Sequence, residues 1–255
     1  MSHNALRDIN VTLIKDEHFL MELNPDYYSE LVVICAHPDD ECIMAGSLIE
    51  SFIERGKKVK VLLYSHETQL NILQEVNPFA SDYINIFLKP LTAYADSLLQ
   101  EFQDICRMKG IEYYTLSLPD QKFQFYDYGN ISNQVSSFIS QSSANSLIVV
   151  HHSCDINEDH EVVAKTCDVA FRKHLFHGTA IEGYIHGSTK LGNYSPNIFL
   201  DSEQYIDMKL SRFKKYKNQQ RDKYHPRSIY ALNSIEAFFG TYFGHKYAES
   251  YQLKQ

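Results

Sequence analysis

Short strand-like runs separated by amphipathic stretches constrain this 255-residue chain more than any other feature. Leu31–Ala36 reads LVVICA, Val59–Tyr64 reads VKVLLY and Leu147–Val150 reads LIVV. Apolar runs of this length, rich in β-branched residues, suit strands buried on both faces of a parallel sheet. Ile111–Leu116 adds a further strand. Between the strands lie helical patterns. Asp40 to Arg55 places Ile43, Leu48, Ile49, Phe52 and Ile53 on one face and closes at Gly56. Tyr94–Lys109 is helical and ends at Gly110, Ile131–Ser140 is helical, and Asp159–Lys173 carries Val162, Val163, Cys167, Val169 and Ala170 as its apolar positions. Strand and helix in alternation predict an α/β fold, and right-handed crossovers make it a Rossmann-like three-layer αβα sandwich with a mainly parallel sheet.

One domain is expected over residues 1–255, with a core at about 31–173 and a C-terminal extension at about 174–255 packed on it. The extension holds a strand at Thr179–His186, a polar helix near Glu203–Arg221 and an aromatic-rich tail. His66 to Ala93 is looser, with turn signals, and is placed where it could cover a site. The net charge of −8 and the absence of any basic cluster beyond Lys57–Lys58 and Lys214–Lys217 argue against a nucleic-acid partner. Five cysteines (Cys35, Cys42, Cys106, Cys154 and Cys167), an odd number with no CxxC pair, read as reduced thiols. The charged segment Met1–Asp16 has no apolar signal region, and no run approaches the roughly 18 residues of a membrane span. The expectation is a soluble cytoplasmic protein, with a homo-oligomer left open.

Chemistry concentrates where two strands end. Ala36-His37-Pro38-Asp39-Asp40-Glu41 follows the first strand, and His151-His152-Ser153-Cys154-Asp155-Ile156-Asn157-Glu158-Asp159-His160 follows Leu147–Val150. In open α/β sheets ligands bind beyond the carboxyl ends of the strands. The turn is not the GxGxxG of dinucleotide binding, which disfavours a nucleotide-dependent enzyme. His37 and Asp40 offer a nitrogen and an oxygen from one tight turn limited by Pro38, and Asp39 stays free for proton transfer. Read alone, Asp39, Asp40 and Glu41 are also an N-cap and first-turn acids favoured by the helix dipole. The second His/Asp-rich edge is less expected from capping. Two histidines and a carboxylate with an open position form a common catalytic zinc arrangement, which His37, Asp40 and His160 would supply. Such a set also accepts iron, cobalt or manganese. One of His151 and His152 reads as a supporting residue.

The HPDDE run after the first strand, with a later Asp-His pair opening a helix, resembles the PIG-L/LmbE-like family of zinc-dependent N-acetylglucosaminyl deacetylases. The resemblance covers about Leu31 to Lys173 and continues in Tyr224-His225-Pro226-Arg227-Ser228, which looks like a bacterial subgroup associated with polysaccharide and amino-sugar metabolism. It implies that His37, Asp40 and His160 bind the metal, that Asp39 is the general base, and that Asp159 is the acid preceding the metal histidine. Many relatives carry a histidine three residues before the metal ligand, where it stabilises the tetrahedral intermediate; here that residue is Asn157. Either Asn157 donates a neutral hydrogen bond there, or a histidine from a distant segment fills the space, His225 first and His152 second, with Arg227 beside His225 to bind a polar part of the substrate or orient a carboxylate.

The reaction implied is removal of the acetyl group from a small-molecule N-acetylated amino-sugar or its conjugate, with metal-activated water and Asp39 as base. The competing readings are an amidase acting on another amide, such as a thiol conjugate, and a non-catalytic protein that holds a sugar. The free carboxylate at Asp39 argues against the last.

Overall fold

The computed structural model describes residues 20–67, 89–172 and 176–254. Most of the looser stretch from His66 to Ala93, and all of Met1–Asp16, lie outside them. Eight strands form one sheet: β1 (Met21–Glu22), β2 (Glu30–Cys35), β3 (Lys58–Glu67), β4 (Glu112–Pro119), β5 (Ser146–His151), β6 (Thr179–Gly183), β7 (Ile198–Asp201) and β8 (Ala248–Leu253). Their spatial order is β1-β7-β8-β6-β5-β2-β3-β4. From β4 to β6 the neighbours are all parallel. The chain therefore moves outward from β2 through β3 to β4, then returns to start the other half with β5 beside β2. The order reverses between β2 and β5, which opens a crevice beyond their carboxyl ends.

Among the described residues six α-helices cover the sheet: α1 (Asp40–Glu54), α2 (Lys89–Lys109), α3 (Tyr128–Ser140), α4 (Glu158–Ala170), α5 (Ile206–Phe213) and α6 (Ile229–Phe243). Alternate residues of β2 enter different cores, as the two-residue period of a strand requires. Leu31, Val33 and Cys35 pack with residues of α1, α2 and α5, while Val32, Ile34 and Ala36 pack with residues of α3 and α4. This is the expected three-layer α/β sandwich. All five cysteines are free, and all but Cys154 are buried. No helix of the described residues is long and apolar enough to cross a membrane.

The extension does more than lie on the core. β8 runs antiparallel to both β6 and β7 and joins them into the same sheet. Its sequence, AESYQL, mixes polar and apolar residues and holds no continuous apolar run. The expected polar helix near Glu203–Arg221 is the shorter α5 followed by a 3-10 turn at Lys217–Gln219. Two of its cations, Lys209 and Arg212, are buried against α1.

That contact explains a break in α1, where Ala45 leaves the helical region at φ −142° and ψ 23°. The carbonyls of Ile43 and Gly46 accept from Lys209 Nζ (2.7 Å) and Arg212 Nη2 (2.8 Å). The N–H groups of Ser47 and Leu48 donate to the Glu249 carboxylate at 3.1 and 2.8 Å. A helix interruption leaves donors and acceptors that must be satisfied when buried, and the extension satisfies them. Gly46 is required here, because a Cβ on it would lie 2.6 Å from Lys209 Cγ.

Candidate metal and active site

The two loops that leave β2 and β5 meet at the crevice. His151, at the end of β5, accepts a hydrogen bond at Nε2 from the Ala36 N–H (2.9 Å), which ties the two strand ends together. Its ring stacks on His160 with centroids 4.0 Å apart. His151 is thus a supporting residue, and burial holds its ring down at about 3, neutral at ordinary pH.

After His37-Pro38 the backbone takes a sharp turn at Asp39, whose φ of 106° lies in the left-handed region. Non-glycine residues are uncommon there, aspartate and asparagine being the tolerated exceptions, and such positions cluster at functional sites. Asp39 stands at the N-cap position of α1, but its side chain makes no capping hydrogen bond. The capping account of this acid therefore does not describe it. Glu41 holds the turn instead, accepting from the Asp39 N–H (3.1 Å) and from Tyr216 Oη (2.6 Å) of the extension.

His37, Asp40 and His160 offer ligand atoms that all lie within 4.8 Å of one another. Supporting residues decide which ring nitrogens face the common point. His37 Nε2 lies 2.9 Å from Asp120 Oδ1 and 3.1 Å from Asp159 Oδ2, which leaves Nδ1 beside Asp40 Oδ2 at 3.2 Å. His160 Nδ1 lies 3.3 Å from both Asp155 Oδ1 and Ser188 Oγ, which leaves Nε2 3.4 Å from Asp40 Oδ2. Ser188 Oγ in turn donates to Asp155. Carboxylates behind ligating histidines are how metal sites fix ring orientation. Sequence reasoning identified Asp159 but missed Asp120, Asp155 and Ser188. Asp155 sits in the quoted His/Asp-rich loop, yet nothing local shows that it faces His160, and Ser188 comes from a distant turn.

A second grouping, His37 with Asp120 and Asp159, also has metal-ligand spacing. Asp159 is already engaged there, since its oxygens accept from the Gln121 and Phe123 N–H groups at 2.6 and 3.2 Å. Asp120 is 52% exposed. This grouping reads as the support for His37.

The donor set at the crevice suits a divalent cation. Asp39 and Asp40 are fully buried, and Asp39 Oδ1 and Oδ2, Asp40 Oδ1 and His160 Nε2 have no hydrogen-bond partner among the described residues. Unmatched buried polar atoms are costly, so several gathered at one strand-end turn indicate a group that completes them. The electrostatics agree. Burial disfavours charge on His37 and His160, but the surrounding carboxylates outweigh it and raise both rings above the usual imidazole value. Burial pushes the Asp39 carboxyl up to about 8, with Arg227 acting in the opposite direction.

The residues proposed to replace the absent histidine separate clearly. His152 accepts from the Cys154 N–H at Nδ1 (3.0 Å), lies 3.4 Å from Glu182 Oε2 at Nε2, and meets Tyr194 edge-on, all on the β6 side. Asn157 Oδ1 caps α4 by accepting from the Asp159 N–H (3.0 Å). His225 is exposed, and its Nδ1 accepts from the Arg227 N–H (3.0 Å). Arg227 itself reaches the crevice, with Nη1 3.5 Å from Asp39 Oδ2 and Nη2 3.6 Å from Asp40 Oδ1.

Known structures share this architecture. N,N'-diacetylchitobiose deacetylase from Pyrococcus horikoshii superposes with a TM-score of 0.65 at 15% identity, over 90% of this chain and 85% of that one. The A40926 pseudoaglycone deacetylase Dbv21 gives 0.62 at 14%, over 89% and 97%. The 4-carboxy-2-hydroxymuconate hydratase GalB from Pseudomonas putida KT2440 gives 0.63 at 14%, over 88% and 95%. At such identities the likeness establishes the fold, and the hydratase among them shows that one fold carries different reactions. No curated protein sequence is significantly similar to the chain. The family model described as GlcNAc-PI de-N-acetylase, PIG-L, matches residues 32–171, more than half of the sequence and both strand-end loops, and the chain belongs to that family.

Proposed function

We propose that the protein is a metal-dependent hydrolase that removes the acetyl group from a small N-acetylated amino-sugar or its conjugate. One observation carries the reading. Three ligand-type side chains from two strand ends converge beside a buried carboxylate, Asp39, that has no hydrogen-bond partner among the described residues. The ligands are His37 through Nδ1, Asp40, and His160 through Nε2. A divalent cation held there, zinc on the resemblance, would polarise the acetyl carbonyl and lower the pKa of water from about 15.7 to about 7.

Asp39 then acts as the base. The water oxygen bonds to the acetyl carbon while one of its protons passes to the Asp39 carboxylate. Asp39 returns that proton to the amide nitrogen, the C–N bond breaks, and the free amine leaves together with acetic acid, which keeps the second water proton and then ionises to acetate. Asp39 is suited to both halves because it is buried next to Asp40 with both oxygens free of hydrogen-bond partners among the described residues. His225 is the proposed donor to the oxygen that becomes negative, through Nε2, since Nδ1 is occupied by the Arg227 N–H. The protein is expected to work in the cytoplasm on a small molecule.

The test is acetate release from a panel of N-acetylated sugars and sugar conjugates, run with and without a chelator. Release that the chelator abolishes and zinc restores is the expected result. Release that resists complete removal of metal, or none from any acetylated sugar, would reject the reading.

A further inference from the structure

Arg227 is the cation that the strand-end motifs do not supply. Among the described residues no other Lys or Arg pairs with Asp39 or Asp40, and none of the Arg227 guanidinium N–H groups makes a hydrogen bond. Its two contacts, 3.5 and 3.6 Å, bring it to Asp39 Oδ2 and Asp40 Oδ1, which are themselves without hydrogen-bond partners. Unused donors therefore face unused acceptors across a space slightly longer than a hydrogen bond. A small polar group alongside the pair, one that accepts from Arg227 and donates to Asp39, would satisfy both sides.

The backbone on either side of Arg227 is also held in place. Pro226 packs on Gly187, where an added Cβ would lie 2.6 Å from Pro226 Cβ and where the φ of +82° already favours glycine. The next residue, Ser188, contacts His160 Nδ1. On the other side Ser228 caps α6, its hydroxyl accepting from the Ala231 N–H (3.0 Å). Arg227 is thus anchored between a helix cap and the turn that supports His160.

We infer that Arg227 is a further catalytic residue, which receives the acyl oxygen of the substrate and one carboxylate oxygen of the acetate product. This rests on the deacetylase reading above. A guanidinium offers two parallel N–H groups to a carboxylate or a developing oxyanion, and such charge-assisted bonds are the strong ones. As the water oxygen adds to the acetyl carbon, the carbonyl electron pair moves onto its oxygen, and Arg227 stabilises that charge together with His225. Collapse breaks the C–N bond and leaves acetate on the same donors.

The experiment compares wild type with Arg227→Ala and Arg227→Lys, all zinc-loaded, by acetate binding in a calorimeter and by the kinetics of acetate release. Arg227→Ala is expected to bind acetate about 10–100-fold more weakly and to lower kcat by roughly 10²–10³-fold, the cost of losing one oxyanion donor. KM, zinc content and Tm should stay near wild type, and Arg227→Lys should recover part of both losses. Unchanged acetate binding and kcat in Arg227→Ala would overturn the assignment. So would losses that follow a fall in zinc content or Tm, which would make the residue structural. If wild type released no acetate from any sugar yet lost acetate binding on Arg227→Ala, the deacetylase reading would fall and the carboxylate-receiving role would stand.

Discussion

Two buried polar clusters flank the first turn of α1, and they differ in one respect. The Lys209 cluster beneath the helix is matched. Lys209 Nζ lies 2.6 Å from Glu236 Oε1 and 2.7 Å from both Glu249 Oε1 and the Ile43 carbonyl, and Glu249 also accepts from Tyr251 Oη at 2.6 Å. The cluster at the strand ends is unmatched at Asp39, at one oxygen of Asp40 and at His160 Nε2. Both are almost completely excluded from water. Burial alone therefore does not mark a functional group. The matched Lys209 cluster holds the architecture, whereas the atoms without hydrogen-bond partners at the strand ends lie among ligand-type side chains with metal spacing.

The sharpest way to break this contrast is Asp39→Asn. It keeps the shape and removes the proton acceptor, so acetate release should fall by about 10²–10⁴-fold. Zinc content should remain, because Asp39 is not a proposed ligand. Tm should hold or rise, since the buried carboxylate it replaces is unsatisfied. A steep drop in Tm would mean that Asp39 belongs to the structural class.

Lys209→Met tests the opposite class. Removing one partner of a buried ionic cluster leaves uncompensated charge on Glu236 and Glu249, and should cost about 3–5 kcal/mol in denaturant unfolding. Loss of zinc affinity should accompany it, because the same ammonium holds the turn that follows Asp40. A variant as stable as wild type would show that the broken helix does not depend on the extension.

A smaller effect is expected at His225. His225→Ala should lower kcat by about 10–10³-fold with zinc affinity little changed, the signature of contacts made in the transition state. A wild-type rate would leave the oxyanion to Arg227 alone. Asp155→Ala should weaken zinc binding by roughly 10–100-fold, because His160 loses the carboxylate that orients it. Equal zinc affinity in a metal competition assay would remove Asp155 from the site's support.

How much of this the sequence shows follows the same division. β2 and β5 are legible because strands buried on both faces must be continuously apolar, and the residues that follow them must stand at the crevice. His37, Asp40 and His160 are legible because ligand chemistry is carried by short local runs. The extension is harder to read. Lys209 and Arg212 look like a solvated helix face, and Glu249 like the exposed side of an edge strand, because their partners lie more than 150 residues away on α1. Ser188 is silent because its partners, Asp155 and His160, stand about 30 residues away in another loop, out of reach of any local pattern. Pattern reports what a residue must avoid, and long-range pairing alone reports what it has found.

The central claim is that His37, Asp40 and His160 form one metal centre. Anomalous diffraction at the zinc edge, from crystals of the zinc-loaded protein, tests it directly. One zinc is predicted with His37 Nδ1, an Asp40 oxygen and His160 Nε2 at about 2.0–2.2 Å. Zinc bound instead at His37 Nε2 with Asp120 and Asp159, or no ordered zinc at the crevice, would contradict the account.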